Sequence, residues 1–466
     1  MKNLFIFFLL IFNFSVFSQN HEKELIGTWK GKLKIENEKS LNIIFHFSLD
    51  KNKKLMASMD SPDQGAYQLE MENVRLVLKY IKAEIPAFKI SFKGKIVSKD
   101  SIAGEFSQGN LNSILNLKKS SSEVKRFVRP QEPVPPFPYK KEEVVFNNNQ
   151  SNISLSGTLT YPKGKGKFPV VVLISGSGPQ DRNEEIMGHK PFWVIADYLT
   201  KNGIAVFRYD DRGVGESKGD YSTATTADFA LDALSAIQFL RNHPKINHHK
   251  IGLIGHSEGG MVAQMLAASD KNIAHIILMA SPGIPIKELM IQQTESTLRM
   301  SGIKKEEIDV SIELNKKFYS LIISNDDDEK CRGEIEKIIN DHSNSMPTSE
   351  SNELKKKTPY IIKSLLSPWF RYFIRFNPEF YLKDIKCPVL ALNGEKDVQV
   401  HYKNNLNSIQ SILKNNGNNQ VSIKSFPSLN HLFQNSTTGA VSEYPLIEET
   451  ISPEILEEIK NWSMIH

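Results

Sequence analysis

A short turn with glycine at both ends connects an apolar strand to an apolar helix near the middle of the 466-residue chain. The strand is predicted over residues 251–254, the turn is Gly255-His256-Ser257-Glu258-Gly259, and the helix begins near Met261. Small residues flanking a serine in this setting allow it to occupy a strained turn exposed above a sheet. The pattern therefore favours a parallel α/β sheet and makes Ser257 the candidate catalytic nucleophile.

Strands and helices alternate on both sides of this turn. A helix is predicted from Pro191 to a stop at Gly203, and a second helix begins at the capping-box-like Thr225-Thr226-Ala227-Asp228. Apolar runs predict strands over residues 153–161, 168–174, 204–209, 273–279, 387–393 and 421–426. This order predicts the α/β class, as a doubly wound and mostly parallel sheet within a catalytic domain at 142–466.

The strand pattern stops between about residues 285 and 376, where charged, helix-like segments appear. An insertion at this point would lie over the carboxyl ends of the strands, which is where open α/β sheets bind ligands. We therefore expect a helical lid at about 285–376.

The region before the catalytic domain has a different pattern. Residues 19–119 show apolar side chains at every second position, as in Leu41 to Leu49 and in Val74, Leu76, Leu78 and Tyr80. This period predicts a small antiparallel β domain, barrel-like, that positions or shields the catalytic domain. Residues 120–141 are rich in proline and predict an extended linker.

The first 18 residues predict a secretory signal peptide. An apolar run at 4–12 is too short to span a bilayer, and Val16 and Ser18 suit a cleavage site just before Gln19. We therefore expect an exported protein, periplasmic or extracellular, with no stable insertion in a membrane after cleavage. The two cysteines, Cys331 and Cys387, are too few for a disulfide framework. A formal charge of +5 with scattered lysines argues against nucleic-acid binding.

A serine nucleophile needs a base beside it and a carboxylate behind the base. Asp397 ends the turn that follows strand 387–393, and Glu395 in the same turn is the alternative acid. The order serine, acid, histidine requires a histidine well after this turn. His401 is too near and His466 is the last residue, so His431 is the candidate base.

The backbone should also stabilise an oxyanion with two N–H groups. One is expected from Glu258, directly after the serine, and the other from the loop 175–178 that follows strand 168–174. Ser177 is the preferred donor, and its neighbours in that loop remain alternatives.

From about Ile153 onward the chain resembles the α/β-hydrolase family, in particular exported bacterial esterases related to dienelactone hydrolases and to prolyl-oligopeptidase-type and prolyl-aminopeptidase-type serine peptidases. The runs that carry the resemblance are ISGSGPQDR at 174–182, RYDDRGVGES at 208–217 and GHSEGG at 255–260. The resemblance implies hydrolysis of an ester, thioester or amide through an acyl-enzyme, without a metal or organic cofactor. A small-molecule ester is the preferred substrate, and a short peptide is the alternative.

Three further residues are candidates for substrate contact or loop bracing: Asp211, Arg212 and Trp369. We expect Arg212 to pair with Asp210 or Asp181. A peptidase would need a charged patch in the lid, for which the acidic run at 326–329 is a candidate. A non-catalytic binding protein on the same scaffold is the third hypothesis.

Overall fold

The computed structural model describes residues 24–35, 40–50, 53–64, 66–109, 111–120 and 129–466. The signal peptide predicted over residues 1–18 lies outside the described residues. The described residues up to Ser120, with Ile186–Gly188, belong to one compact unit, and Arg129–Glu185 with His189–His466 form a second.

The first unit is an antiparallel barrel. Its described strands are β1 Gly27–Lys34, β2 Ser40–Leu49, β3 Leu55–Ser61, β4 Ala66–Val77, β5 Tyr80–Ile85, β6 Ile90–Ser98, β7 Ser101–Gln108, β8 Leu111–Ile114 and β9 Leu117–Ser120. Consecutive strands from β1 to β7 pair with one another, and β9 joins β7 to β1. The sheet therefore closes on itself, as the period of two predicted, around buried side chains that include Trp29, Phe45 and Phe92.

One predicted alternation crosses a turn. Leu78 lies between β4 and β5 with a left-handed φ of 55°, and Val77 pairs with Tyr80 across this tight hairpin. A two-residue turn reverses the odd–even pattern, because facing residues such as Val77 and Tyr80 have opposite parity, so the alternation predicted through Tyr80 is wrong beyond the turn. Leu78 and Tyr80 are exposed, and Ile81 provides the next buried side chain.

The second unit contains an eight-stranded sheet in the order β10-β11-β13-β12-β14-β15-β16-β17. Its strands are β10 Tyr139–Asn148, β11 Ile153–Pro162, β12 Phe168–Ile174, β13 Ala205–Tyr209, β14 Ile246–His256, β15 Ile276–Met279, β16 Val389–Gly394 and β17 Val421–Phe426. The strands from β13 to β17 are parallel, and β10 and β11 are antiparallel to their neighbours. The predicted α/β class is confirmed.

The helices of this unit are α1 Pro191–Lys201, α2 Thr226–Arg241, α3 Glu258–Ser269, α4 Ile286–Met300, α5 Lys305–Ser324, α6 Asp328–Ser343, α7 Thr348–Leu365, α8 Pro368–Phe373, α9 Glu379–Leu382, α10 Tyr402–Asn415 and α11 Pro453–Ile465. Helices α2, α3 and α10 pack on one face of the sheet, and α1 and α11 pack on the other. The Thr225–Asp228 capping box forms as predicted. Among the described residues, no helix is long and apolar enough to span a membrane.

The segment between β15 and β16 is helical, in agreement with the pattern from which a lid is expected. Helices α4 to α9 share a separate apolar core that includes Ile322, Cys331 and Phe370, and Met261 of α3 packs into the same core. We call this segment the helical insertion. It is thereby attached to the helix that follows the Ser257 turn.

The linker predicted over residues 120–141 extends too far. Tyr139–Lys141 already belong to β10 and pair with residues 160–162 of β11. The preceding residues contact the second unit as well, because Arg129 donates to the carbonyls of Ile447 and Pro445. Proline-rich composition gave no sign that hydrogen bonds would fix this stretch on the sheet domain.

Candidate active site

Ser257 lies in the strained turn between β14 and α3. Its backbone has φ 52° and ψ −117°, and its N–H donates to the Met279 carbonyl over 2.8 Å. A Cβ atom at Gly255 would lie 2.2 Å from the Gly259 carbonyl oxygen, and one at Gly259 would lie 2.1 Å from the Ile174 carbonyl oxygen. Both flanking positions therefore require glycine, and together they hold the serine in a conformation that L-residues rarely adopt.

Asp397 and His431 are hydrogen-bonded to each other. The distance from His431 Nδ1 to Asp397 Oδ2 is 2.7 Å, and both side chains are buried. Asp397 Oδ1 accepts from the N–H groups of Gln399 and Val400, at 2.8 and 2.9 Å. Hydrogen bonds thus fix both oxygens of the Asp397 carboxylate. Because Asp397 binds Nδ1 of His431, Nε2 is the nitrogen of that ring available to accept a proton.

Glu395, the alternative acid, lies elsewhere. Its side chain is exposed and accepts a hydrogen bond from Ser425 Oγ at 2.7 Å. It makes no hydrogen bond with His431 among the described residues. The geometry therefore favours Asp397 as the partner of the histidine.

His256 connects the serine turn to the loop that carries His431. Its ring centroid lies 4.8 Å from that of His431, and its Nε2 lies 3.0 Å from the His431 carbonyl oxygen. Its Nδ1 lies 2.9 Å from Glu184 Oε1. Burial lowers the pKa of His256, but the Glu184 charge and hydrogen bond outweigh it, so the pKa is raised. His256 thus connects the turn that carries Ser257 with the loop that carries His431.

Sequence reasoning missed Glu184, which lies in an irregular loop with a left-handed φ of 52°. The same oxygen that faces His256 also accepts from the Gly176 N–H at 2.7 Å. Its side chain is buried. No periodic pattern of apolar residues identifies Glu184. The one weak indication in the sequence is that it comes shortly after a glycine-rich turn.

The loop 175–178 lies against Ser257, because a Cβ atom at Gly176 would be 3.3 Å from Ser257 Cβ. The N–H of Gly176 is taken by Glu184, and the backbone of Gly178 faces the Tyr221 hydroxyl. Glu258 is the first residue of α3, and the first N–H groups of a helix have no partner within it. Ser177 and Glu258 thus remain candidates for binding an oxyanion.

The Glu258 side chain joins three segments. Thr226 Oγ1 donates to Glu258 Oε1 over 2.6 Å, and Trp369 Nε1 lies 2.9 and 3.1 Å from the two carboxylate oxygens. Burial raises the pKa of this carboxyl, although hydrogen bonds from Thr226, Ser177 and Trp369 act in the opposite direction. Trp369, on the helical insertion, is therefore anchored beside the serine turn and stacks on Phe373 with ring centroids 4.8 Å apart.

Arg212 braces loops, and its expected partners were wrong. Its Nε and Nη2 lie 2.7 and 2.9 Å from the two oxygens of Asp232, and Nη1 lies 3.3 Å from Asp228. Asp210 is instead bound by Arg182, whose Nε and Nη2 reach both carboxylate oxygens at 3.0 and 2.7 Å. Arg212 therefore pairs with Asp232 and Arg182 pairs with Asp210, an assignment that spacing along the chain did not reveal.

Asp211 is buried beneath the loop 175–180. It accepts from Ser175 Oγ and from the Gln180 N–H, both at 3.0 Å. Burial raises its pKa well above the ordinary value, and the nearby charges of Glu258 and Glu184 act in the same direction. Asp211 therefore fixes the loop that lies against Ser257.

The acidic run in the helical insertion is engaged in local contacts. Asp326 and Asp328 pair with Arg375 and Arg371, at 2.7 and 2.9 Å. Asp327 caps α6 by accepting from two backbone N–H groups. All four acidic side chains nevertheless remain exposed. The described residues also contain no cluster of three or more His, Cys, Asp or Glu side chains that could hold a metal ion.

Comparison with known proteins gives one family match. Residues 191–437, just over half of the chain, match the family described as serine aminopeptidase, S33. Esterase EstD of Thermotoga maritima is 23% identical over 415 residues, which cover 86% of this chain and 89% of EstD. Thiohydrolase aneE of Aspergillus aculeatus is 37% identical over 83 residues, 18% of this chain and 26% of that protein. The solved esterase Pf2001 of Pyrococcus furiosus has a TM-score of 0.40 at 18% identity, and the match covers 70% of this chain and 93% of that one.

Proposed function

The chain belongs to the α/β-hydrolase family described as serine aminopeptidase, S33, and from this premise we propose that it is a serine esterase that cleaves carboxylic esters of small or medium acyl groups. The observation that carries the proposal is the buried Asp397–His431 hydrogen bond of 2.7 Å. This pair is linked through His256 to the turn that presents Ser257. An oriented, buried histidine near a strained serine is the arrangement that activates a hydroxyl for acyl transfer.

In the proposed reaction, Ser257 Oγ attacks the ester carbonyl carbon while His431 Nε2 accepts the hydroxyl proton. The tetrahedral intermediate collapses, the C–O bond to the alcohol breaks, and His431 returns the proton to the leaving oxygen. Water then attacks the acyl-enzyme with His431 again as the base, which releases the acid and restores Ser257. Asp397 keeps Nδ1 protonated and stabilises the imidazolium.

The N–H groups of Ser177 and Glu258 are proposed to stabilise the oxyanion in both steps. Gly176 supports this assignment indirectly, because its N–H is held by Glu184 and a Cβ atom at this position would lie 3.3 Å from Ser257 Cβ. Loss of one such donor typically costs about 2.7–4 kcal/mol of transition-state stabilisation.

The choice of ester over amide has two supports. EstD, which is named an esterase, aligns over most of both chains. Arg371 and Arg375 also pair with two acids of the run that a peptidase would use for a charged substrate terminus, which reduces its net negative charge. A peptidase acting on short peptides remains the second candidate, because the family description favours an aminopeptidase.

Rates on p-nitrophenyl acyl esters should be compared with rates on aminoacyl and dipeptidyl p-nitroanilides. We expect ester hydrolysis to be faster and to fall to background in Ser257→Ala. Ser296→Ala is the control, because Ser296 is a second serine beside a histidine, with its Oγ 2.7 Å from His401 Nε2. The Ser296→Ala substitution should leave the rate of ester hydrolysis unchanged, because His401 has no carboxylate hydrogen-bonded to it in the described part of the chain. Faster cleavage of the anilides would reject the esterase proposal in favour of the peptidase.

A binding protein on this scaffold predicts a different result. A fluorophosphonate should label Ser257 in an enzyme and should not label it in a protein without an activated serine. Peptide mapping of the adduct identifies the residue. If folded protein forms no Ser257 adduct, the hypothesis that the protein is an enzyme is rejected.

We further propose that the protein is exported after cleavage of its signal peptide. The apolar run at 4–12 and the small residues Val16 and Ser18 motivate this. Terminal sequencing of the protein recovered from outside the cytoplasm should begin near Gln19. Recovery of an intact Met1 terminus would contradict the proposal.

A further inference from the structure

Five large apolar side chains are exposed on the barrel unit. Val77 is 65% exposed, Leu78 52%, Tyr80 58%, Val97 60% and Ile114 69%. We call these residues the apolar patch. Single exposed apolar residues are ordinary, but a contiguous group of this size is uncommon on a soluble protein unless it serves binding.

Hydrogen bonds and strand register bring these residues together. Val77 and Tyr80 face each other across the β4–β5 turn, and Tyr80 stands opposite Lys95 of β6. The Ile96 N–H donates to the Lys79 carbonyl at 2.8 Å, which fixes this turn beside the end of β6 where Val97 lies. Val77, Tyr80 and Ile114 also line one open groove of about 760 Å³. The five side chains therefore form a single surface.

Bases outnumber acids around the patch. The bases are Arg75, Lys79, Lys82, Lys93, Lys95 and Lys99, and the acids are Glu84, Asp100 and Glu105. Glu84 is paired with Lys82 at 2.7 Å, and Glu105 is the acid in the groove. The Lys95 ammonium lies 5.5 Å from the centre of the Tyr80 ring. A surface with this composition attracts anions while it exposes apolar atoms between the charges.

We propose that the apolar patch docks the protein on an anionic lipid surface. The β4–β5 turn and the end of β6 would place Val77, Leu78 and Val97 among the acyl chains, and the surrounding lysines would contact phosphate headgroups. Apolar side chains with flanking lysines are the combination that binds peripheral proteins to acidic membranes.

Other occupants fit the patch less well. An extended peptide needs a free strand edge, but β5 and β6 are each paired on both sides. A second copy of the chain would bring two basic surfaces together, which like charges disfavour. A lipid surface requires neither an edge nor a complementary fold.

The chain from Gln19, without the proposed signal peptide, should be sedimented with vesicles of phosphatidylcholine alone and of phosphatidylcholine with phosphatidylglycerol. We expect binding to the anionic vesicles, weakened by added salt, and little binding to the neutral ones. The double variant Leu78→Asp/Val97→Asp and the double variant Lys93→Glu/Lys95→Glu should each lower the bound fraction about tenfold.

Phe88→Asp is the matched control, because Phe88 is also exposed on the barrel, at 54%, but lies in the turn after the opposite end of β5. It should bind like the unmodified chain. All variants should keep the same far-UV circular dichroism spectrum, which separates loss of binding from loss of folding.

Three results would overturn the proposal. One is the absence of binding to anionic vesicles at low salt, and another is equal loss in the patch variants and in Phe88→Asp. The third is a dimer in light scattering that Leu78→Asp/Val97→Asp converts to a monomer without any vesicle binding. None of these readouts depends on ester hydrolysis, so the proposal stands or fails separately from the proposed function.

Discussion

The indole N–H of Trp369 is hydrogen-bonded to the carboxylate of Glu258, the residue that directly follows Ser257. Trp369 belongs to the helical insertion, and Glu258 begins the helix of the serine turn. Thr226 donates to the same carboxylate. One buried side chain thus connects the insertion, the start of α2 and the serine turn.

Removing this carboxylate should destabilise the fold. In Glu258→Ala the half-buried Trp369 donor and the buried Thr226 donor lose their acceptor, and such losses typically cost about 1–3 kcal/mol. Urea denaturation should show this decrease in the free energy of unfolding. Glu313→Ala is the control, because Glu313 is exposed and pairs only with Lys316 on the surface of α5, so a change within about 0.5 kcal/mol is expected. Equal effects of the two substitutions would mean that the contacts of Glu258 contribute nothing.

The two acids of the turn after β16 should differ in their effect on catalysis. Asp397→Asn keeps the shape of the side chain but no longer holds His431 in the proton-accepting form, so we expect kcat to fall about 10³- to 10⁴-fold. Glu395→Gln changes an exposed side chain that contacts Ser425, and kcat should stay within about twofold. Steady-state rates on a p-nitrophenyl ester measure both. A larger loss in Glu395→Gln would exchange the roles of the two residues.

Asp211 should make the protein less stable as the pH rises. Its pKa is raised well above the ordinary 3.8, first by burial and then by the charges of Glu258 and Glu184. Between 3.8 and the raised pKa, the folded chain binds more protons than the unfolded chain, so the free energy of unfolding falls with pH. Asp211→Asn should therefore gain stability relative to the unmodified chain as pH increases. Urea denaturation at several pH values tests this, and a constant difference would contradict it.

Its neighbour Asp210 should behave in the opposite way. Burial raises the pKa of Asp210, but hydrogen bonds from Arg182 and from the Glu216 N–H outweigh it and lower the pKa below 3.8. The stability that this aspartate contributes is present above 3.8 and is lost as pH falls through the lowered pKa. Asp210→Asn should therefore be destabilising at neutral pH, and this deficit should shrink in acid. The same denaturation series measures it, and an unchanged deficit in acid would argue against the Arg182 contact as the cause.

The sequence predicted those features that depend on local pattern. Strands β12 and β17 have the predicted bounds, since continuous apolar runs and flanking turn residues define a strand directly. The serine turn could also be recognised, because Gly255 and Gly259 are required by atoms only a few residues away or on the next strand. The Asp397–His431 contact followed from order along a known strand arrangement rather than from either residue alone.

What the sequence did not reveal depends on contacts between distant segments. Arg212 and Arg182 have several acidic neighbours each, and only the folded structure pairs Arg212 with Asp232 and Arg182 with Asp210. Glu184 has no pattern around it, and its role comes from His256, 72 residues away. The turn at Leu78 was missed because apolar residues continue at even positions through it, although the buried side chains change to odd positions such as Ile81.

The second unit should fold and hydrolyse a soluble ester without the barrel when the chain begins at Arg129, and less well when it begins at Lys140. Starting at Lys140 removes Arg129, Gln131 and Tyr139. Gln131 donates to the Ile451 carbonyl and accepts from the Thr450 N–H, both at 2.7 Å. The Thr450 hydroxyl in turn lies 3.1 Å from His189, whose Nε2 is 3.0 Å from Gln434.

This chain of contacts ends three residues after His431, so its loss should loosen the loop that carries the base. We therefore expect the chain from Arg129 to keep kcat/KM for p-nitrophenyl acetate within about twofold. The chain from Lys140 should have a lower melting temperature and a lower kcat, while its Ser257 is still labelled slowly by a fluorophosphonate. Gln131→Ala in the full chain is the matched test, because it removes the same hydrogen bonds and leaves the barrel in place. If both shortened chains retained the same stability and rate, residues 129–139 would be a passive linker after all.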